Sequence, residues 1–445
     1  MNILVLLLIT LNLLFPLWCV YTSCITRQGL EVNHVLLFSS GFFIYWILPI
    51  AIGVSRLFYE APIMVLWYGI FDAIPPETLS LYLVITFAAY LSFWLGSEFV
   101  RRKLRGMPTY HRLAIDTRLL SLPLIVGTLL AGGLAVVFRN QLFTGYTLGI
   151  GGANDDILKG TFVTSSVFLL ALAFVYTARK DEMMDSPHIF WKVVLNPYFA
   201  AYLLASLLVL SLGGRLYFVS GLVMLLVYRT SYFQRIRFSS ALWLLVIGVV
   251  FAGLAGLVRQ NRNISLEEGW LLIMVEPLFT AFSLIHFLRD NAFELLRFPI
   301  FLISNFINLV PSPLFPQKLS YMLAPEEFGY VIYSPGGAEN SFFSFMINFG
   351  VIGTFFALFA SGVCLSYLKV KDRNLLFRVV YVMLCGWLGF TFFRDPFFIS
   401  IVKTMFQDSL VTPLLIVVLI QGLSSSLKRV SRLGRLDDSS TKAAL

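Results

Sequence analysis

Charged residues are scarce in this sequence. Asp, Glu, Lys and Arg make up 13% of the 445 residues, whereas apolar residues make up 58%. A soluble globular chain carries about 25% charged residues, and a surface with so few charges cannot be hydrated. The composition therefore excludes a set of soluble domains and predicts that most of the chain faces lipid or other buried helices.

Cysteines and catalytic motifs are also few. None of the 4 cysteines has a CxxC or His partner at metal-ligand spacing, so disulfide scaffolds, zinc modules and Cys-His nucleophiles lack support. The patterns GxxxxGK[ST], HExxH and GxSxG are missing, Gly149-Ile150-Gly151-Gly152 is a plain glycine turn, and Asp155-Asp156 lacks a third ligand. The sequence therefore predicts no metal, no cofactor and no ATP-driven engine.

Long apolar runs are what the sequence does contain. A hydrocarbon core of about 30 Å needs about 20 apolar residues per helix, which predicts an all-α polytopic membrane protein with about eleven transmembrane helices (a range of about 11–13). No Lys or Arg precedes residues 3–20, so the first span is expected to stay in the membrane and not to be cleaved. Residues 57–72 contain Glu60, Pro62 and Asp72 and are interpreted as interfacial or re-entrant. The predicted spans are 3–22, 33–54, 78–98, 119–137, 161–178, 194–212, 216–230, 239–258, 341–368, 375–392 and 409–425.

The positions of Lys and Arg predict the orientation of these spans. If the spans alternate, about two thirds of the 33 basic residues fall on one face, which we assign to the cytoplasm together with the C-terminus. The net charge of +9 then reflects topology and does not call for nucleic acid. The basic clusters on this face are Arg101/Arg102/Lys103/Arg105/Arg112/Arg118, Arg179/Lys180/Lys192, Arg229/Arg235/Arg237, Lys369/Lys371/Arg373/Arg378 and Lys428/Arg429/Arg432/Arg435/Lys442.

One connection, residues 259–340, is far longer than the others and falls on the outside face. Loops of this length usually serve a site. Its apolar stretches 271–288 and 295–310 are expected to be interfacial helices or a hairpin of two short spans, and its proline-rich part forms a cap. We therefore predict one transmembrane domain over residues 1–425, with the 259–340 loop over the site, and a flexible basic cytoplasmic tail over 426–445.

Arginines retained on the outside face, against the positive-inside trend, are functional candidates. The guanidinium group suits phosphate because its planar fork gives bidentate, charge-assisted hydrogen bonds. Arg215 follows a glycine pair that bends the backbone between two spans, and Arg259 begins the long loop. Snorkelling to lipid headgroups and capping of helix ends are the alternative roles, most of all for Arg289 and Arg297. The candidates are Arg139, Arg215, Arg259, Arg262 and Arg394.

A carboxylate precedes the long helix that follows the loop. Asn340 or Ser341 is expected to be the N-cap of this helix. Glu339 is then either an acid stabilised by the helix dipole or a general base that faces the arginines.

Together these features resemble the bacterial O-antigen polymerases (Wzy) and, more distantly, the O-antigen ligases. The resemblance lies in the span number, the late outside loop, Gly214-Arg215, Arg259, and the run from Glu339-Asn340-Ser341-Phe342-Phe343 to Asn348-Phe349-Gly350 and Gly353. In the ligases a His commonly precedes that Asn. Glu339 stands in its place here, which favours the polymerase.

The resemblance implies a GT-C-type glycosyltransferase of the bacterial inner membrane that works at the periplasmic face without metal or cofactor. It would move the growing glycan from undecaprenyl diphosphate to the non-reducing end of a lipid-linked repeat unit. Glu339, Arg215 and Arg259 would be catalytic. A chain-length regulator protein is an implied partner. Residues expected to bind diphosphate or glycan are Arg262, Arg394, Asn340 and Arg139.

Two alternatives remain open at this point. One is an O-antigen ligase of the same superfamily. The other is a flippase or secondary transporter for lipid-linked oligosaccharides, which predicts charges within the spans and two related halves. The sequence contains no internal repeat that would indicate such halves.

Overall fold

The computed structural model describes most of the chain, and all structural statements below concern the described residues. The described ranges are 3–26, 29–56, 62–103, 115–142, 153–181, 195–212, 214–241, 243, 266–307, 309–310, 314–321, 323, 325–335, 339–371 and 374–426. The predicted cytoplasmic tail and most of the predicted span 239–258 lie outside them.

The described residues are almost entirely helical. The single sheet among them is a two-stranded antiparallel hairpin, β1 (Ile25–Thr26) and β2 (Gly29–Leu30). The helices are α1 (Ile3–Cys24), α2 (His34–Ser55), α3 (Pro62–Asp72), α4 (Pro76–Lys103), α5 (Thr117–Val137), α6 (Ala153–Asp181), α7 (Pro197–Ser211), α8 (Arg215–Tyr232), α9 (Leu266–Asp290), α10 (Ile300–Ile307), α11 (Ser341–Val370), α12 (Leu375–Arg394) and α13 (Ile399–Ser426).

The apolar helices match the predicted spans closely. Within the described ranges, 8 helices are long and apolar enough to cross a membrane, and each overlaps one of the predicted spans. Two shorter apolar helices, Pro197–Ser211 and Leu216–Tyr232, coincide with two more. The all-α membrane character is confirmed, whereas the count of eleven spans and the GT-C fold stay predictions.

The chain divides into two compact units. The first comprises Met1–Met107, Leu222–Val370 and Tyr381–Gln407, and the second comprises Pro108–Gly221, Lys371–Val380 and Asp408–Leu445. In the second unit, α5 and α7 both pack against α6, and Asn196 caps α7 by accepting hydrogen bonds from the backbone N–H groups of Tyr198 and Phe199.

In the first unit, α4 and α11 form the most extensive helix–helix contact. They approach closely because each contributes a glycine: a Cβ on Gly96 would collide with the carbonyl of Phe359, and one on Gly362 with the carbonyl of Phe93. Close backbone approach at small residues is a common way for helices to associate in membranes.

Regular helix is interrupted at three places. Residues Phe42–Ile47 of α2 are π-helical. A second π-helical stretch, Phe398–Val411, includes the first part of α13; it begins in the first unit and ends in the second. Helix α11 is broken at Gly350, which has φ 71° and ψ −179°. The N–H groups freed there donate to another segment, from Val351 to Glu294 at 3.0 Å and from Ile352 to Leu295 at 3.0 Å.

The long loop contains two α-helices in addition to the irregular segments expected of a cap. Its first apolar stretch belongs to the 25-residue helix α9, which continues through Pro277 and packs against α2 and α4. Its second apolar stretch is irregular up to residue 299 and then forms the short helix α10. Residues 57–61 lie outside the described part, and the remainder of 57–72 forms the 11-residue helix α3.

Candidate functional site

The first turn of α11 is hydrogen-bonded to the segment around the junction of α12 and α13. Asn340 is the N-cap, because its side-chain oxygen accepts from the N–H of Phe342 at 2.9 Å. The Ser341 hydroxyl donates to the backbone oxygen of Asp395 at 2.7 Å and contacts the Ser400 hydroxyl. Both Asn340 and Ser341 are completely buried, so this helix start is a packed polar centre.

Arg394 links this centre to the long loop. Its guanidinium pairs with the carboxylate of Glu276 in α9 and lies 3.6 Å from the carboxylate of Asp395. Tyr45 in α2 donates its hydroxyl to Glu276 at 3.4 Å. Four separate stretches of chain thus supply one polar cluster, which we call the 276/394 cluster: Tyr45, Glu276, Glu339, Asn340, Ser341, Arg394, Asp395 and Ser400.

Both π-helical stretches contribute to the 276/394 cluster. Tyr45 belongs to Phe42–Ile47, and Ser400 belongs to Phe398–Val411. The extra residue in a π turn shifts side chains relative to an α-helix, and π turns are frequent at functional sites. This local geometry therefore agrees with a functional role for the cluster.

Two carboxyl groups of the cluster have raised pKa values. Burial raises the pKa of Asp395 to about 6, although Arg394 lowers it in part. Burial also raises the pKa of Glu339, and the negative charges of Glu326 and Asp395 raise it further. A carboxylate stabilised by the dipole at a helix N-terminus would instead have a lowered pKa. Burial and the neighbouring acids therefore outweigh the helix dipole in setting the pKa of Glu339.

Two buried polar atoms of the cluster make no hydrogen bond within the described part of the chain. They are the side-chain nitrogen of Asn340 and the Oδ2 atom of Asp395. An amide donor and a carboxylate acceptor beside a second carboxyl group can bind a hydroxyl group and take its proton.

The cluster brings together three of the predicted catalytic and substrate-binding residues, Glu339, Asn340 and Arg394, and also Ser341, the alternative N-cap predicted from the sequence. The charges that shift the pKa of Glu339 are carboxylates, so an arginine that faces Glu339 remains a prediction. Arg139 is exposed, just after α5 in the second unit.

The remaining candidate arginines lie wholly or partly outside the described residues. Arg259 and Arg262 lie outside the described residues. Arg215 is the first residue of α8, and its side chain lies outside the description.

Sequence reasoning did not select four members of the cluster, namely Tyr45, Glu276, Asp395 and Ser400. Two of them carried a usable signal. Glu276 interrupts an otherwise apolar run, and a charge in such a position is a functional candidate by default. Asp395 follows Arg394 directly, a position from which it can pair with that arginine, and the arginine pairs with Glu276 as well. Tyr45 and Ser400 had no local signal, because their importance comes from distant contacts.

Both arginines for which snorkelling is the main alternative role make contacts within the protein. Arg289 binds the adjacent Asp290 carboxylate, with Nε 2.6 Å from Oδ1, and also contacts His286. Arg297 donates to the Tyr330 hydroxyl and lies 5.7 Å from the ring centre of Phe301.

Comparisons with protein-family models, curated proteins and solved structures found no significant match to this chain.

Proposed function

We propose that this protein is a glycosyltransferase that polymerises lipid-linked repeat units at the outer face of the bacterial cytoplasmic membrane. Its donor is a glycan on undecaprenyl diphosphate, and its acceptor is a second lipid-linked repeat unit. The proposal rests on the sequence resemblance to O-antigen polymerases and on the chemistry of the 276/394 cluster.

The proposed reaction is a single transfer. An acceptor hydroxyl oxygen forms a bond to the anomeric carbon of the donor. The bond from that carbon to the diphosphate oxygen breaks, and its electron pair leaves with undecaprenyl diphosphate. The acceptor proton moves to the carboxylate of Glu339. Arg215 and Arg259, with Arg262, neutralise the charge that develops on the diphosphate.

The raised pKa of Glu339 is the observation that best supports this assignment. A general base works best when its pKa approaches the operating pH, because it must be ionised and still bind a proton well. The buried amide of Asn340 and the buried Oδ2 atom of Asp395 lie in the same cluster and offer hydrogen-bonding groups to an acceptor sugar.

The test is reconstitution of the purified protein in nanodiscs with lipid-linked repeat units and without nucleotide or metal. We expect a ladder of longer glycans and release of undecaprenyl diphosphate. Glu339→Gln should lower the rate by about 100-fold or more, since general base catalysis contributes about 10²–10⁴.

The control is Glu77→Gln, which alters an exposed glutamate in the first turn of α4, and it should leave the rate unchanged. A Glu339→Gln protein with the wild-type rate would remove Glu339 as the base. In a parallel reaction that also contains lipid A core, product found only on lipid A core would identify a ligase.

A second function, transport of lipid-linked oligosaccharide, is favoured by one observation. Helix α11 is discontinuous at Gly350, and broken helices often form the substrate sites of secondary transporters. Proteoliposomes loaded with a fluorescent lipid-linked oligosaccharide separate the two functions. Movement between leaflets without ladder formation would favour the transporter and contradict the polymerase.

A further inference from the structure

A second polar feature lies in the first unit, at the end of α9 and in the stretch of chain that joins α9 to α11. It is a pocket of about 320 Å³ whose walls come from residues 290–294, Arg297 and residues 328–330. This volume is at the lower end of the range for small-molecule sites, about 300–1,000 Å³. The proposed reaction uses none of these residues.

The walls combine aromatic rings with charged groups. The Arg297 guanidinium lies 5.2 Å from the ring centre of Tyr330 and 5.5 Å from that of Phe328, and it donates to the Tyr330 hydroxyl. Glu294 is exposed and makes no ion pair with another described residue. Hydrogen bonds from Arg289 lower the pKa of Asp290, so this carboxylate is ionised at neutral pH.

Both rims of the pocket are held by hydrogen bonds to the backbone of other segments. On one rim, the N–H of Arg297 donates to the carbonyl of Phe349 at 3.1 Å, and the carbonyl of Glu294 accepts from Val351 at 3.0 Å. On the other rim, the Asn291 side chain accepts from the N–H of Val331 at 2.8 Å and donates to its carbonyl at 2.9 Å. A pocket fixed in this way loses little conformational entropy when it binds a ligand.

The pocket is adjacent to the 276/394 cluster. The short helix Pro325–Phe328 reaches both, because the charge of Glu326 raises the pKa of Glu339 while Phe328 lines the pocket. Phe287 also connects them, since its ring stacks on Tyr330 at 6.2 Å and on Phe343 in the first turns of α11 at 5.0 Å.

We propose that this pocket binds one uncharged pyranose residue of the acceptor glycan, next to the sugar that reacts. Aromatic rings pack against the C–H faces of a sugar, while carboxylate and guanidinium groups form paired hydrogen bonds with neighbouring hydroxyls. The Asp290 carboxylate is paired with Arg289, which leaves Glu294 and Arg297 as one charge of each sign in the walls, so the pocket has no excess positive charge to attract an anionic sugar. This inference rests on the proposed function and extends it to a specificity subsite.

The direct test measures binding of repeat-unit oligosaccharide, released from the host's polysaccharide by mild acid, to the full chain in nanodiscs. Saturation-transfer NMR and calorimetry should detect binding to the wild-type protein. Glu294→Gln and Tyr330→Phe should each weaken binding about tenfold, the effect of one lost hydrogen bond to a charged or polar partner. Because the carbonyl of residue 294 is retained in Glu294→Gln, the backbone hydrogen bond from Val351 at the Gly350 break is also retained.

The matched control is Tyr321→Phe, which removes the hydroxyl of an exposed tyrosine in the same loop but outside the pocket. It should bind like the wild-type protein. No binding to the wild type, or equal binding by all variants, would overturn the proposal.

Rate measurements separate this inference from the proposed function. In the ladder assay, the pocket variants should raise KM for the acceptor about tenfold with kcat nearly unchanged. If the pocket variants make ladders with the wild-type KM for the acceptor, the subsite is contradicted and the polymerase function is not. Pocket-dependent glycan binding by a wild-type protein that makes no ladders would contradict the polymerase and leave the subsite standing.

Discussion

Asp395 illustrates how the surroundings of one residue determine its chemistry. Its carboxylate is buried, its Oδ2 atom has no hydrogen-bond partner among the described residues, and its pKa is raised to about 6. Its charge also raises the pKa of Glu339. The protonation state of Asp395 therefore influences the pKa of Glu339, and the pH profile of the reaction should report on both groups.

Asp395→Asn should shift the acid limb of the pH–rate profile to lower pH. Removing the negative charge of Asp395 lowers the pKa of Glu339, so Glu339 stays ionised and competent as a base at lower pH. The measurement is the initial rate of undecaprenyl diphosphate release between about pH 5 and 8.

Two results would contradict this assignment. An acid limb in the wild-type position would mean that Asp395 does not influence the base. Complete loss of activity at all pH values in a folded Asp395→Asn protein would make Asp395 the base in place of Glu339.

At the scale of helices, glycines set the architecture of α11. At Gly350 the backbone adopts φ 71°, and a Cβ would lie 2.7 Å from the carbonyl oxygen of Leu295. At Gly362 a Cβ would collide with the backbone of α4. Gly350 allows the helix to break, so that its free N–H groups bind the 294–297 segment. Gly362 allows α11 to pack closely against α4.

Gly350→Ala should destabilise the protein by about 3 kcal/mol. Its φ and ψ values lie in a region that is essentially restricted to glycine and costs other residues about 1–3 kcal/mol, and steric overlap with the 294–295 carbonyls adds to this cost. The measurement is thermal unfolding in detergent. Gly422→Ala, where nothing lies within 4 Å of the added Cβ, is the control. Equal melting temperatures for the two variants would contradict the break at Gly350.

Gly362→Ala should also lower the melting temperature, because α4 and α11 must separate to make room for the methyl group. The matched control is Gly133→Ala in α5, whose Cβ would meet nothing within 4 Å and which should gain slightly in helix propensity. A Gly362→Ala protein as stable as Gly133→Ala would show that the two helices do not cross there.

At the scale of the whole molecule, ion pairs of the first unit join residues that the predicted alternation of spans assigns to the same face. Glu31, which follows α1, pairs with Lys369 at the end of α11 and with Arg235 at 3.4 Å. The alternation assigns all three residues to the cytoplasmic face. It assigns Glu276, Glu339 and Arg394 to the opposite face, and these three belong to the 276/394 cluster.

The orientation itself is a prediction for reporter fusions. A green fluorescent protein fused after residue 426 should fluoresce, and alkaline phosphatase inserted at residue 327 should be active, because the positive-inside rule places the first in the cytoplasm and the second outside. The reverse pattern would invert the topology and move the 276/394 cluster to the cytoplasmic face, away from a periplasmic substrate.

The sequence by itself determined the class of this protein and the positions of its apolar helices. Hydrocarbon thickness sets a length that can be counted along the chain, and α1, α4 and α11 therefore begin and end near their predicted residues. The cap at Asn340 was also predictable, because capping depends on neighbours two or three residues away.

Only the tertiary structure decided how the 276/394 cluster is assembled. The pairing of Glu276 with Arg394, the break at Gly350 and the raised pKa of Asp395 all depend on segments that are distant in sequence. Apolar periodicity indicates which positions are buried, but it does not identify the segments that meet there. A pKa depends on that local burial and charge, so these properties arise only when the chain has folded.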